Sequence, residues 1–350
     1  MTSTTLPETI TATPASDKTL SPPSTTAEAS QMPVPAGCLE QPKGRADPDL
    51  TVDVYLPEKA YNGTTLLPDN HHADTSRIIE VNMLGEIIWE YEIAGELKQY
   101  TNPGFDAELL PNDNILFLLP GKGVFEINRG GDTVWSYLDD KISHDADRLP
   151  DGNTLVAFGN NDQVTDAQVK EIDTTGKVVW SWYAGDNFDK SPYNTISDGG
   201  WTHTNAAVRL PNGHTIISPR NFGFLVEVDA AGDLVRTIGE GIFRNQHDPE
   251  VLPNGNILVA NHKSPHRAVE INPDTGKVVW QSSGFKRENV PVRDANRLPN
   301  GNTLITGTRE IVEVTAAGEI VWKLRLNNVT FSDEQARGFG FYKADRICRK

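Results

Sequence analysis

The chain has 350 residues, 37% hydrophobic and 23% charged, which is the composition of an ordinary globular protein rather than a disordered or fibrous one. Its net charge of −16 argues against a nucleic-acid partner, because a phosphate-binding surface needs clustered Lys and Arg. No stretch approaches the ~20 apolar residues of a membrane-spanning helix, so no membrane span is expected.

In chain order, the first segment runs from Met1 to about Pro35 and is rich in Thr, Ser and Pro. It predicts a disordered leader, residues 1–46, ahead of one folded domain, residues 47–350. The leader lacks the apolar core of a signal peptide. Pro35-Ala36-Gly37-Cys38 has a faint likeness to a lipoprotein cleavage site, but no apolar run precedes it. Asn62-Gly63-Thr64 and Asn328-Val329-Thr330 are glycosylation sequons, relevant only to a secreted eukaryotic chain. The only two cysteines, Cys38 and Cys348, flank the folded region. Two are too few for a disulfide scaffold or a zinc site; they form either one clasp or two free thiols.

From residue 62 onward the chain repeats itself. One half of the unit is a Leu-Pro-Asn-Gly-Asn turn followed by a short apolar strand, seen at Leu110, Leu149, Leu210, Leu252 and Leu298. The other half is an apolar strand ending in Glu, a Gly turn and a Trp strand, as in Val169-Lys170-Glu171-Ile172 then Gly176-Lys177-Val178-Val179-Trp180. Asn-Gly and Asp-Gly supply the positive φ that tight hairpins need, and the alternating β-branched runs are strands. Six such units, centred on Trp89, Trp135, Trp180, the variant Val235-Arg236, Trp280 and Trp322, predict an all-β, six-bladed β-propeller of four-stranded antiparallel blades. The first unit lacks an inner strand, whereas Tyr342–Ile347 matches His144–Leu149. The C-terminal strand should therefore join blade 1 and close the ring, where a Cys38–Cys348 disulfide would lock it. The Trp residues read as blade packing.

Blades that share a scaffold differ where they bind something. Five residues before each turn Leu (Ile347 in the C-terminal copy), the inner strands carry Tyr342, Phe105, His144, Asn205, His247 and Arg293. These should face the common axis and form a ligand site. Blade 4 has the longest insertion, residues 185–200, followed by Trp201-Thr202-His203-Thr204-Asn205. A spacing of two puts His203 and Asn205 on one face of an extended strand. Arg220 closes the second strand of that blade, and His262 holds the aligned place in blade 5. The plain alternative is that each His-Asp pair caps a turn, since Asp106 and Asp294 keep the Asp without the His. His71, His72, His214 and His266 read as loop residues. An Arg, an Asn and several His around a dry channel suit an anionic tetrahedral group, with a neutral imidazole available as nucleophile.

At Ser143-His144-Asp145-Ala146-Asp147, Gly200-Trp201-Thr202-His203-Thr204-Asn205, Pro219-Arg220-Asn221 and Gln246-His247-Asp248, the sequence resembles the bacterial and archaeal aryl-sulfate sulfotransferases. The resemblance covers about residues 47–347. It implies transfer of a sulfuryl group from a phenolic sulfate ester to a phenolic acceptor, by a ping-pong route through a sulfohistidine, without the nucleotide sulfate donor PAPS. It implies His247 as the nucleophile, His203, Asn205 and Arg220 as holders of the sulfuryl oxygens, and His144 as an aid to sulfate binding or to the departing phenolate. Arg293, Tyr342, Phe105 and His262 would complete the substrate site, with no metal and no cofactor. It further implies a periplasmic or extracellular location, with which the leader does not agree, and it leaves the oligomeric state open. Two other readings remain: a non-catalytic propeller binding an anionic or aromatic ligand or a protein partner, and a metal-dependent enzyme using His144, His203 and His247.

Overall fold

The Leu-Pro turn closes the hairpin between the first and second strand of a unit. The Leu149 amide donates to the Asn153 carbonyl at 2.8 Å and the Gly152 amide to the Leu149 carbonyl at 2.9 Å, and the pair recurs at Leu210, Leu252 and Leu298. Gly152, Gly213, Gly255 and Gly301 occupy left-handed backbone at φ of 91°, 87°, 82° and 85°. In blade 2 that position is Asp113 at φ 69°, a residue whose short polar side chain tolerates it. The computed structural model describes residues 42–348 apart from 73, 94, 286–290, 328 and 330–337.

The hairpins assemble into six antiparallel sheets, each with four strands of the repeat, and the chain is a six-bladed β-propeller. The inner strands are Asp345–Ile347 in blade 1, then Asp106–Leu109, Ile142–Arg148, Thr204–Arg209, His247–Val251 and Val292–Arg297 in blades 2 to 6. The second strand of a blade is buried along its whole length, as in Thr154–Phe158 and Ile257–Asn261. Neighbouring blades cover both of its faces, which is why these segments read as unbroken apolar runs. Outer strands such as Lys277–Gln281 are mostly exposed.

A polar seam joins each blade to the next. Arg209, on the inner strand of blade 4, lies 4.5 Å over the Trp180 ring of blade 3 and pairs with Glu171 at 2.8 Å. The same trio recurs as Arg148–Trp135–Glu126, Arg297–Trp280–Glu270 and Arg346–Trp322–Glu313. Where the Trp is replaced, Arg236 stands in its place and pairs with Glu227 at 2.6 Å.

The ring closes as expected at the C-terminus, with Thr64 opposite Ile347 in blade 1. It also closes in a way the sequence did not announce. Leu50–Tyr55 adds to Ile320–Leu326 as a fifth, outermost strand of blade 6. Cys348 is disulfide-bonded; Cys38 lies outside the described residues, as does residues 1–41 of the expected leader. Near the end of that leader, Arg45 exchanges backbone hydrogen bonds of 2.8 Å with Ile87. Asn62 is buried and bonded to Tyr55, so its sequon is not a surface acceptor. No described helix is long and apolar enough to cross a membrane.

Candidate active site

The aligned inner-strand residues are all buried: Tyr342, Phe105, His144, Asn205, His247 and Arg293 are each at most 8% exposed. Five of them gather around the axis. The His144 ring stacks on Tyr342 at 5.2 Å, and the His247 ring meets Tyr342 edge-on at 6.2 Å. The Arg293 guanidinium lies 4.9 Å over the Tyr342 ring, and Asn205 donates to the Gln246 carbonyl beside His247 at 2.9 Å. Phe105 is instead drawn into the apolar cluster of Leu66, Ile93 and Phe117 between blades 1 and 2. His203 joins His144 at 5.6 Å, and His262 stacks on His247 at 4.4 Å. His266, read as a loop residue, continues that stack at 5.2 Å from His262.

Two local geometries depart from the expectation. His203 is not in the strand, which starts at Thr204; it has φ 46°, so shared strand facing is not what brings it to His144. Likewise the second strand of blade 4 ends at Pro219, and Arg220 opens a short 3-10 turn, Arg220–Phe222. The insertion supplies the reason. Its Asp198 pairs with Arg220 at 3.0 Å, and Asn221 donates to the carbonyls of Asp198, Gly200 and Trp201.

Two buried residues to which the sequence reading gave no role brace these turns. The Asp162 carboxylate accepts from the Thr202 amide and hydroxyl and from the His203 amide at 2.8 to 3.2 Å. A Cβ on Gly200 would sit 2.4 Å from that carboxylate, so only glycine lets the chain approach. Gln246 donates to the carbonyls of Pro219 and Phe224, pinning both ends of the Arg220 turn to the residue before His247.

Burial shapes the site electrostatics. It drives the imidazoles of His144, His247 and His262 well below the ordinary histidine range, with neighbouring imidazoles and the Arg220 cation pushing the same way. His203 falls to about 4, through burial and then Arg220. All four are therefore neutral near pH 7. His247 Nδ1 lies 2.9 Å from the Asn245 carbonyl, which makes it the protonated nitrogen and leaves the lone pair on Nε2. His203 is held in the same tautomer by the Gly199 carbonyl at 2.9 Å. His144 Nδ1, Asn205 Oδ1 and the Tyr342 hydroxyl are buried with no protein partner, an arrangement that costs stability unless a ligand completes it.

Below this ring Lys343, its side chain 13% exposed, pairs with Asp106, Asp145 and Asp248 at 3.0, 2.7 and 3.0 Å. The Asp residues that follow the axial positions are therefore a floor held by one lysine, not turn caps. Two residues further along the inner strands, burial pushes Glu108 and Glu250 up to about 7 and Asp345 to about 6. The imidazoles thus lie between Arg220 on the His203 side and the Lys343 carboxylate cluster on the other. A separate cavity of about 590 Å³ between blades 5 and 6, lined by Phe285, Ile305, Val312 and Lys323, includes none of these residues.

A family model described as Arylsulfotransferase (ASST) matches residues 50–243, more than half of the chain. The chain belongs to the arylsulfotransferase family. The matched span carries His144, His203, Asn205 and Arg220 and stops just short of His247. Membership supports an aryl sulfotransferase in general terms, acting on small molecules. No curated protein matches the chain in sequence. Among solved structures it is similar to a Bacteroides caccae protein of unknown function, at 19% identity and TM-score 0.55 over 77% of this chain and 96% of that one. It is also similar to a catalytically inactive virginiamycin B lyase from Staphylococcus aureus with quinupristin, at 10% identity and TM-score 0.51 over 85% and 100%. The WD40 propeller domain of Doa1 aligns at 13% and 0.50 over 86% and 98%. At such identities the likeness concerns the propeller fold alone.

Proposed function

We propose that this arylsulfotransferase moves a sulfuryl group from a phenolic sulfate ester to a phenolic acceptor through a sulfated His247. The observation that carries the reading is the tautomer of His247: a neutral ring, its Nδ1 proton tied to Asn245, its Nε2 lone pair uncommitted. Such an imidazole is a competent nucleophile without a separate base.

In the first half-reaction Nε2 of His247 attacks sulfur, the S–N bond forms and the S–O bond to the aryl group breaks. Arg220 offers the sulfuryl oxygens a planar fork of donors, while His203, Asn205 and Arg293 contribute polar groups beside it. The phenolate leaves near His144 and the Tyr342 hydroxyl. In the second half an acceptor phenol oxygen attacks sulfur, the S–N bond breaks and neutral His247 returns. The proton lost by the acceptor passes through His144 or solvent to the earlier phenolate, so the cycle balances. No nucleotide or metal takes part in these steps.

The test is mass spectrometry of the chain after incubation with 4-nitrophenyl sulfate without acceptor. One added sulfuryl group on His247, discharged by added phenol, is the expected result. His247→Ala should carry no label and transfer nothing. Turnover at the wild-type rate in that variant, or ligand binding without turnover in the parent, would overturn the proposal.

A further inference from the structure

A second cluster of imidazoles lies outside the channel, where the two closures of the ring meet. Asp49 stands at the entrance to Leu50–Tyr55, the strand added to blade 6. His71 and His72 follow Thr64–Asp69, the second strand of blade 1. His71 Nε2 and His72 Nε2 lie 3.5 and 3.4 Å from the same oxygen, Oδ2 of Asp49. The three ligand atoms are all within 4.8 Å of one another, the one such group of His and Asp among the described residues. The edge of a tetrahedron around zinc, with bonds of about 2.0–2.1 Å, is roughly 3.4 Å.

The surroundings are those of a metal-binding histidine. His71 Nδ1 lies 2.5 Å from Oδ1 of Asp69, a carboxylate that is itself buried. That contact places the proton on Nδ1 and turns Nε2 toward Asp49, the carboxylate–histidine arrangement that orients ligands in zinc sites. The His71 side chain is 3% exposed, yet its Nε2 has no hydrogen-bond partner. Charge favours a cation as well. Asp47, Asp69 and Glu90 pair with the two guanidiniums of Arg45 and Arg77, whereas among the described residues the Asp49 carboxylate faces only the two imidazoles.

We infer that Asp49, His71 and His72 bind a divalent transition metal, zinc foremost, which clips the N-terminal strand on blade 6 to blade 1. His72 and Asp49 are 56% and 37% exposed in their side chains, so the fourth position opens to solvent. The site is independent of the sulfuryl-transfer chemistry, and its role is to hold the ring closed.

Chelator-stripped protein titrated with zinc chloride should take up one equivalent tightly, and its melting temperature should rise by several degrees. His72→Ala, which alters an exposed side chain and leaves the fold intact, should weaken zinc binding at least tenfold and abolish the thermal shift, and Asp49→Asn should do the same. His247→Ala should keep both. No stoichiometric uptake, uptake unchanged in His72→Ala, or uptake lost equally in His247→Ala would each overturn the inference; the first would leave an ordinary carboxylate–imidazole pair.

Discussion

Four imidazoles line the channel, and none is hydrogen-bonded to a carboxylate among the described residues; His203 and His247 face backbone carbonyls and His144 Nδ1 faces none. Their lowered pKa values have a direct consequence for rate. A nucleophilic imidazole works in its neutral form, so transfer should hold as the pH falls through the ordinary histidine pKa of about 6.5 and decline only at lower pH. A kcat/KM profile from pH 8 to 4 checks this; a single break at or above 6.5 contradicts it. At the same scale, Arg220→Ala should lower kcat by about 10²–10³, the usual loss for a donor to developing oxyanion charge. Its partner Asp198 is 71% exposed, so Asp198→Ala should cost less than roughly tenfold. Steady-state kinetics on both variants separates the charge that meets substrate from the one that steadies it.

Along the elements, the seams tie packing to the position of the site. Arg148, Arg209, Arg297 and Arg346 each sit on an inner strand, four residues past the axial position, so fixing Arg209 against Trp180 and Glu171 also fixes the strand that carries Asn205. Removing it leaves Glu171 half-buried without its cation. Arg209→Ala should cost about 1–3 kcal/mol in denaturant unfolding, and Arg209→Lys should recover little, because lysine has neither the planar stack nor the fork. The turns, the Trp strands and the register of the axial row were legible in the sequence because each recurs and each has a local physical cause. What was not legible depends on contacts between blades. For the Asp row beside the axial residues the sequence left turn caps as an alternative, since no local signal says that Lys343, some two hundred residues from Asp145, faces three of them. His203 was placed on a strand face by its spacing, but the Asp162 brace holds it in a left-handed turn. Leu50–Tyr55 went unread because it carries no turn motif, only the alternation of Thr51-Val52-Asp53-Val54-Tyr55.

Over the whole molecule, the protonation of the channel is layered. The axial imidazoles have lowered pKa values, so protons that the unfolded chain takes up near pH 6.5 are refused by the folded one, and this contribution weakens stability as the pH falls. The carboxylates behind Lys343 act in the opposite sense. Glu250, pushed up to about 7 by burial, stays protonated in the folded chain where the unfolded chain has lost its proton. Its contribution is favourable at low pH and lost as the pH rises through 7. Glu250→Gln keeps an acceptor for the Arg297 amide, which now donates at 2.6 Å, and removes the charge. It should therefore raise stability on the order of 1–3 kcal/mol at pH 8 and clearly less at pH 5. Parallel melting curves at the two pH values decide it; an equal shift at both would mean that the carboxyl is not strained by ionising.

The closing segment brings more than a final hydrogen-bonded edge. Tyr342 and Lys343, just before it, are the aromatic ring that both His144 and His247 contact and the cation shared by Asp106, Asp145 and Asp248. Without that segment Asp106, Asp145 and Asp248 lose the lysine they share, and His144 and His247 lose the ring that both contact. Closing the propeller and furnishing its centre are therefore the work of one short stretch of chain, residues 342–347.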